Sequence, residues 1–142
     1  MASYYLNEAA LDLPERPFVD KTIHGLQCKL PSGKTLGVLI HRRPAEPGRS
    51  LQDVVREHVA VNQKRLLGYA VLNEAGTEIG GVPARLLETR FRRDAASFYQ
   101  AQVHVLSAGK AMIFAVCGPI EERALCDETL GRLLATFAWR VD

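Results

Sequence analysis

The stretch from Ala84 to Cys117, ARLLETRFRRDAASFYQAQVHVLSAGKAMIFAVC, decides the fold. It holds three β-prone runs, Ala84 to Arg93, Phe98 to Leu106 and Ala111 to Cys117. The breaks between them, Asp94-Ala95-Ala96 and Ser107-Ala108-Gly109, are too short for a crossover, so the three runs form two successive hairpins. Side chains alternate along a strand, so a loop length fixes which residues share a face. Three-residue loops set Arg93 opposite Ser97 and predict one dry face pairing Leu87 with Val103, Thr89 with Ala101 and Phe91 with Tyr99. The other face then pairs Leu86 with His104, Glu88 with Gln102 and Arg90 with Gln100, and gains Met112 and Phe114 from the last strand.

Working outward, Lys21 to Leu30 and Thr35 to Arg42 flank the turn-rich Pro31-Ser32-Gly33-Lys34 and read as another hairpin. Tyr4 to Leu6 and Ala10 to Leu13 carry strand character on either side of Asn7-Glu8. At Ser50 the period changes. S-x-x-D resembles a capping box, and Leu51, Val54, Val55, His58, Val59, Asn62 and Leu66 share one helical face. Gly68 is placed to end that helix in a left-handed conformation, and Tyr69 to Leu72 follows as a strand. At the C-terminal end Pro119 suits a first helical position, with Glu121 and Glu122 at the positive end of the dipole. Leu130, Leu133, Leu134 and Phe137 then make an amphipathic stripe. The order of strands, helix, strands, helix predicts an α+β fold: one domain over 1–142 with a six- to seven-stranded antiparallel sheet and two main helices.

In the first hairpin Leu26, Cys28 and Leu30 share a parity, as do Leu36, Val38 and Ile40, and these sets face the core. Ile23, Gly25, Leu39 and His41 fall on the opposite face. That face is expected to offer Ile23, Leu39, Phe98, Met112 and Phe114. Contiguous apolar area of this kind marks a binding surface or a face covered by a second layer.

Composition narrows the function. Eighteen Lys and Arg against sixteen Asp and Glu leave a net charge of +2, too small to argue for nucleic acid or an anionic bilayer. No stretch reaches the ~20 apolar residues that span a membrane, so stable insertion is not expected. MASYYLNEAALDLPERP shows no basic run followed by an apolar stretch of about 7–15 residues, which predicts a cytoplasmic location. The three cysteines, Cys28, Cys117 and Cys126, form neither a CxxC pair nor an even framework, and reduced, mostly buried thiols are expected.

The four histidines lack any HxH or HExxH spacing, and the alternation sets His24 and His41 on opposite faces, against a zinc pair. GxSxG, Walker A and GxGxxG are absent, and Gly76 to Gly81 (GTEIGG) lacks the spacing of a phosphate cradle. Arg90, Arg92 and Arg93 sit at a hairpin end and read as a solvated tip. No catalytic residue, metal or cofactor is expected, and the chain does not read as an enzyme.

A succession of short motifs carries a resemblance: Y-x-L-N-E-A-x-L-x-L-P (Tyr4 to Pro14), D-K-T-I-H (Asp20 to His24), L-I-H-R (Leu39 to Arg42), L-L-G-Y (Leu66 to Tyr69) and A-Q-V-H-V (Ala101 to Val105). The chain resembles DcrB-related proteins and, more narrowly, the Eag-type chaperones of type VI secretion. The resemblance implies a PsbP-like fold, a homodimer, and a task in holding the hydrophobic N-terminal transmembrane segments of PAAR-containing effectors. It also implies groove positions at Ile23, Gly25, Leu39, His41, His58, Leu66 and Gln102. Gly25 stands where those chaperones have an apolar side chain, and His41 and His58 replace small or amide ones. The parity argument adds Phe98 and Phe114 as partner-binding positions. A rival reading gives the same face to a small apolar, lipid-like ligand.

Overall fold

The computed structural model describes residues 2–5, 10–16 and 21–140. Two short strands, β1 (Ala2–Tyr5) and β2 (Ala10–Leu13), pair antiparallel as a sheet of their own, with Ala2 opposite Leu13. Of the expected first strand, Leu6 lies outside the described residues, as do Asn7 and Glu8. The main sheet has six antiparallel strands: β3 (Ile23–Lys29), β4 (Thr35–Pro44), β5 (Leu67–Ile79), β6 (Val82–Arg93), β7 (Ala96–Ser107) and β8 (Lys110–Pro119). Their spatial order is β3-β4-β8-β7-β6-β5. Helix α1 (Leu51–Arg65) connects β4 to β5, and α2 (Arg123–Thr136) follows β8 after a 3₁₀ turn over Ile120–Glu122. The α+β architecture is the one read from the sequence.

Both central hairpins turn in two residues rather than three. Arg93 pairs with Ala96 and Ser107 with Lys110. Asp94 (φ 56°) opens the first turn; Ala108 (φ 51°) and Gly109 (φ 73°) make up the second. Such positive dihedrals match the twist of the flanking strands. Shortening each loop by one residue shifts each register by one, which moves side chains to the other face. Leu87, Thr89 and Phe91 therefore align with Gln102, Gln100 and Phe98, while Leu86 aligns with Val103. Phe114 aligns with Val103 and Met112 with Val105, not with the histidine row.

The sheet has a helix on each side. On one face α2 crosses β7 and β8, and Leu36, Tyr99, Val103, Val116, Cys126 and Leu130 are buried together there. Each such side chain withdrawn from water contributes about 1.5–3 kcal/mol. The Tyr99 hydroxyl donates to Asp127 and the Arg123 guanidinium lies 4.9 Å over the Tyr99 ring, tying α2 to β7. Phe137 is no part of the helix; it caps α2 in an extended conformation and packs on Phe114. On the opposite face α1 lies over β5, β6 and β7, and Val54, Val55, Leu87, Thr89 and Phe91 are buried.

Helix α1 begins where the sequence places it. The Ser50 hydroxyl accepts from the Asp53 backbone N–H at 3.1 Å, and the Asp53 carboxylate accepts from the Ser50 N–H at 3.3 Å. Those bonds hold the Asp53 carboxyl below its usual range. The helix ends earlier than expected: Leu66 is its C-cap, extended, with its N–H bonded to the Asn62 carbonyl at 2.9 Å. Gly68 (φ 65°) serves the bulge in β5 between Leu67 and Ala70, where a Cβ would meet Arg92 Nε at 2.8 Å. Pro119 closes β8 and caps the 3₁₀ turn instead of opening α2.

Candidate functional site

Helix α1 packs on the β5–β7 half of its face, β4 and β8 lie beside it, and among the described residues the sheet ends in the exposed edge strand β3. All seven residues of β3 are exposed. The result is a groove of about 570 Å³ with α1 as one wall and the sheet as its floor. The register shows how the floor is made. One row runs Ile23, His41, Ile113, His104 across four neighbouring strands; the next runs Gly25, Leu39, Ala115, Gln102. From α1 the wall presents Val54, His58, Val61 and Asn62, with Leu66 just beyond its end.

Five of the nine expected positions meet in this groove: Ile23, His41, His58, Leu66 and Gln102. Gly25 and Leu39 share the face one row along, outside the lining. A Cβ on Gly25 would touch Leu39 Cδ2 at 3.7 Å, an ordinary contact, so its absence leaves the Leu39 side chain unflanked on that side. Phe98 is on this face too, but it stacks on Phe91 at 5.6 Å and is absent from the lining. Phe114 is a correction. It lies on the α2 side, edge-on to Phe137 at 5.4 Å, because the two-residue turn reverses the parity assigned to β8. Met112 moves with it to the α2-side core, while still reaching the lining. Ile113 and Ala115, hidden by the same slip, supply the floor instead.

The floor is polar at its deepest point. Asn62 Nδ2 donates to His58 Nε2 at 2.9 Å, which leaves the His58 proton on Nδ1. Gln102 Oε1 accepts from His104 Nε2 at 2.8 Å, and Gln102 Nε2 donates to Gln100 Oε1 at 2.7 Å. His58 is also bonded to the Gln102 side chain. One amide thus serves both imidazoles, as expected for polar groups that cannot reach bulk water. Burial, with Arg43 and His41 adding positive charge, pushes His58 down to about 4. Burial, His58 and Arg43 push His104 down to about 3. Both rings are neutral at physiological pH, so the deepest part of the floor, where they meet Gln102, is uncharged although it is built with histidine.

A profile of the DcrB family matches residues 8–136, nearly the whole chain. The protein belongs to the DcrB family. No curated protein sequence matches it at significance. Among solved structures the DcrB-family chain is similar to the Pseudomonas aeruginosa protein PA94, of unknown function and described as a candidate regulator. That match has a TM-score of 0.83 at 19% identity and covers 100% of this chain and 99% of that one. LpqN, involved in cell envelope biogenesis of Mycobacterium tuberculosis, matches with a TM-score of 0.58 at 13% identity over 88% of this chain and 84% of its own. Cyanobacterial PsbP (CyanoP) from Synechocystis matches with a TM-score of 0.55 at 13% identity over 81% and 79%. At these identities the matches establish the fold, and the PsbP likeness read from the sequence holds.

Elsewhere in this DcrB-family chain, no group of three or more His, Cys, Asp or Glu residues converges among the described residues. Nor is any helix among them long and apolar enough to cross a membrane. The cysteines are free: Cys126 is buried, Cys117 half-buried and Cys28 exposed on the sheet edge, against the expectation for the last. Burial pushes the Cys126 thiol up to about 12, which makes it inert as a nucleophile.

Proposed function

We propose that this protein is a cytoplasmic, non-enzymatic chaperone that shields the hydrophobic N-terminal transmembrane segments of a PAAR-containing type VI secretion effector before loading, and that it acts as a homodimer. The observation that carries the reading is the groove beside α1, one flank of which is a bare sheet edge. Ile23 (61% exposed) stands on that edge and Val61 (42%) on the helix wall, large apolar side chains left in water on the two sides of one groove.

The physics suits such a client. A spanning segment of ~20 apolar residues aggregates in water, and each 100 Å² of it covered by protein gains about 2.5 kcal/mol before association costs. Transmembrane helices pack through small residues and shared hydrogen bonds. Gln100, half-buried and with only its oxygen engaged by Gln102, offers its amide N–H groups to polar atoms on such a helix, while Ile113, also half-buried, offers apolar contact. Membership of the DcrB family and the Eag-type motif succession support the reading.

A second reading has its own support. A volume of about 570 Å³ lies within the range of small-ligand pockets, which suits a lipid-like molecule. Co-expression with the N-terminal segment of an effector encoded beside this gene separates the two. The chaperone reading predicts a soluble complex with wild type and client aggregation with Ile23→Asp, an exposed lining position whose own melting temperature stays within a few degrees of wild type. Full client protection by a folded Ile23→Asp, or native mass spectra showing a stoichiometric small molecule and no client, contradicts it.

A further inference from the structure

The charge around the groove is lopsided. Among the described residues its lining carries five cationic side chains, Lys21, Arg42, Arg43, Arg65 and Arg93, of which Arg42 is engaged with Thr22 at 3.2 Å, and one carboxylate, Glu57. Glu57 is already held by Arg49 at 2.5 Å. The whole chain has a net charge of only +2, so the groove is far more positive than the surface that surrounds it. Among the described residues Arg43, Arg65 and Arg93 enter no salt bridge, whereas Arg49, Arg56, Arg85, Arg123 and Arg132 all do.

These cations are not spread evenly. Arg43 lies opposite Ala111, which lies opposite Leu106; Arg93 lies opposite Ala96. Ala96 and Leu106 are ten residues apart on β7, about 33 Å at the usual strand rise. Lys21 and Arg42 join Arg43 at one end, next to Ile23 and His41, and Arg65 joins Arg93 at the other, next to Leu66 and Phe91. Between them the middle of the floor carries no charge: Ile113, Ala115 and Gln102, with the His58 and His104 rings that burial keeps uncharged.

A polyanion such as single-stranded nucleic acid needs positive charge along its whole path, and a lipid with one headgroup engages one end only. A 20-residue helix is about 30 Å long, the thickness of the hydrocarbon core, and it presents its two flanks at that separation. Resting on the chaperone reading above, we infer that the groove selects apolar helices carrying Asp or Glu at both flanks and disfavours those flanked by Lys or Arg.

Three client fusions test this, each a 20-residue Leu/Ala segment on the same soluble carrier, flanked at both ends by Asp-Asp, Ser-Ser or Lys-Lys. Each is co-expressed with the full chain and the client captured per chaperone is measured. Wild type is expected to retain the Asp-flanked client about tenfold better than the Lys-flanked one, a ratio that falls to about two in 0.5 M NaCl as screening sets in. Arg43→Glu with Arg93→Glu is expected to reverse the order. Both positions are exposed, and Arg65→Gln with Arg93→Gln, which should bring the ratio toward one, covers the case in which the reversal variant does not fold. Equal retention of all three clients, a preference for Lys flanks, or an anionic lipid recovered in place of client overturns the inference; with equal retention the chaperone reading survives. Retention of none overturns both.

Discussion

The His58 and His104 rings meet edge to face at 4.8 Å, one from α1 and one from β7, with Gln102 bonded to both. This contact joins the wall of the groove to its floor. It favours both rings uncharged: a proton on either puts a cation near Arg43 where burial already disfavours charge.

The consequence is a pH-dependent fold. Both folded-state values lie below the ordinary histidine value of 6.5, so the unfolded chain binds protons first as pH falls. The stability contributed by these neutral rings is complete above about pH 6.5 and is lost progressively down to about pH 4 for His58 and about pH 3 for His104. By linkage each ring forfeits up to about 2 kcal/mol at pH 5. Thermal melts between pH 7.5 and 4.5 should show a falling midpoint whose slope flattens in His58→Gln with His104→Gln. An unchanged slope in that variant would place the acid sensitivity elsewhere.

Gln102→Leu keeps much of the volume but removes the oxygen that accepts from His104 Nε2 at 2.8 Å. That buried N–H loses its partner, at about 1–3 kcal/mol. Urea titration should show a loss of unfolding free energy of that size, larger than for Gln100→Leu, because Gln100 bonds the network through one contact to Gln102.

Gly80→Ala tests the C-terminal seal of the opposite face. Gly80 has φ 54°, and a Cβ there would lie 2.5 Å from Trp139 Cδ1. Trp139 is the sole tryptophan of the chain, and its Nε1 donates to the Ile79 carbonyl at 3.1 Å. The variant should lose about 2 kcal/mol or more, and its tryptophan emission should shift to the red as the indole leaves its seat. Wild-type emission in a destabilised variant would mean that the turn yields instead.

The capping box sets where the groove wall begins. Ser50→Ala should cost about 1 kcal/mol, a fall of about 2–4 °C in melting midpoint for a chain of this size, while Ser50→Asp should restore most of it. Equal destabilisation by both would argue that the hydroxyl acts through something other than the Asp53 N–H.

The sequence made much of this site legible, and the limits have physical causes. Alternation in Ile23–Lys29 and Thr35–Pro44 placed Ile23, Leu39 and His41 on one face, because the Leu36 and Val38 face of the second strand packs on the α2-side core and fixes the register of the pair. The helical spacing of His58, Asn62 and Leu66 located the wall. Turn length was not legible. Two-residue turns are signalled best by Asn-Gly or Gly-Gly, and Asp94-Ala95 and Ala108-Gly109 place non-glycine residues at positive φ. The hairpin turn that did carry such a signal, Gly80-Gly81, stood in a segment weighed only as a phosphate cradle, so β5 was expected far shorter than its 13 residues. That one-residue slip misplaced Phe114, concealed Ile113 and Ala115, and separated Leu87 and Thr89 from the glutamines beside them. The cations at the two ends of the groove come from four separate parts of the chain, and no local pattern announces their convergence.

Photo-crosslinking tests the central claim most directly. A benzophenone amino acid is placed at Ile23, on the open side of the groove, or at Leu133, exposed on α2 behind the opposite face, and each variant is irradiated in complex with client. Crosslinks to the client's apolar segment from Ile23 and none from Leu133 are the predicted result. Crosslinking from Leu133 alone, or equally from both, would contradict the assignment of the groove as the client's seat.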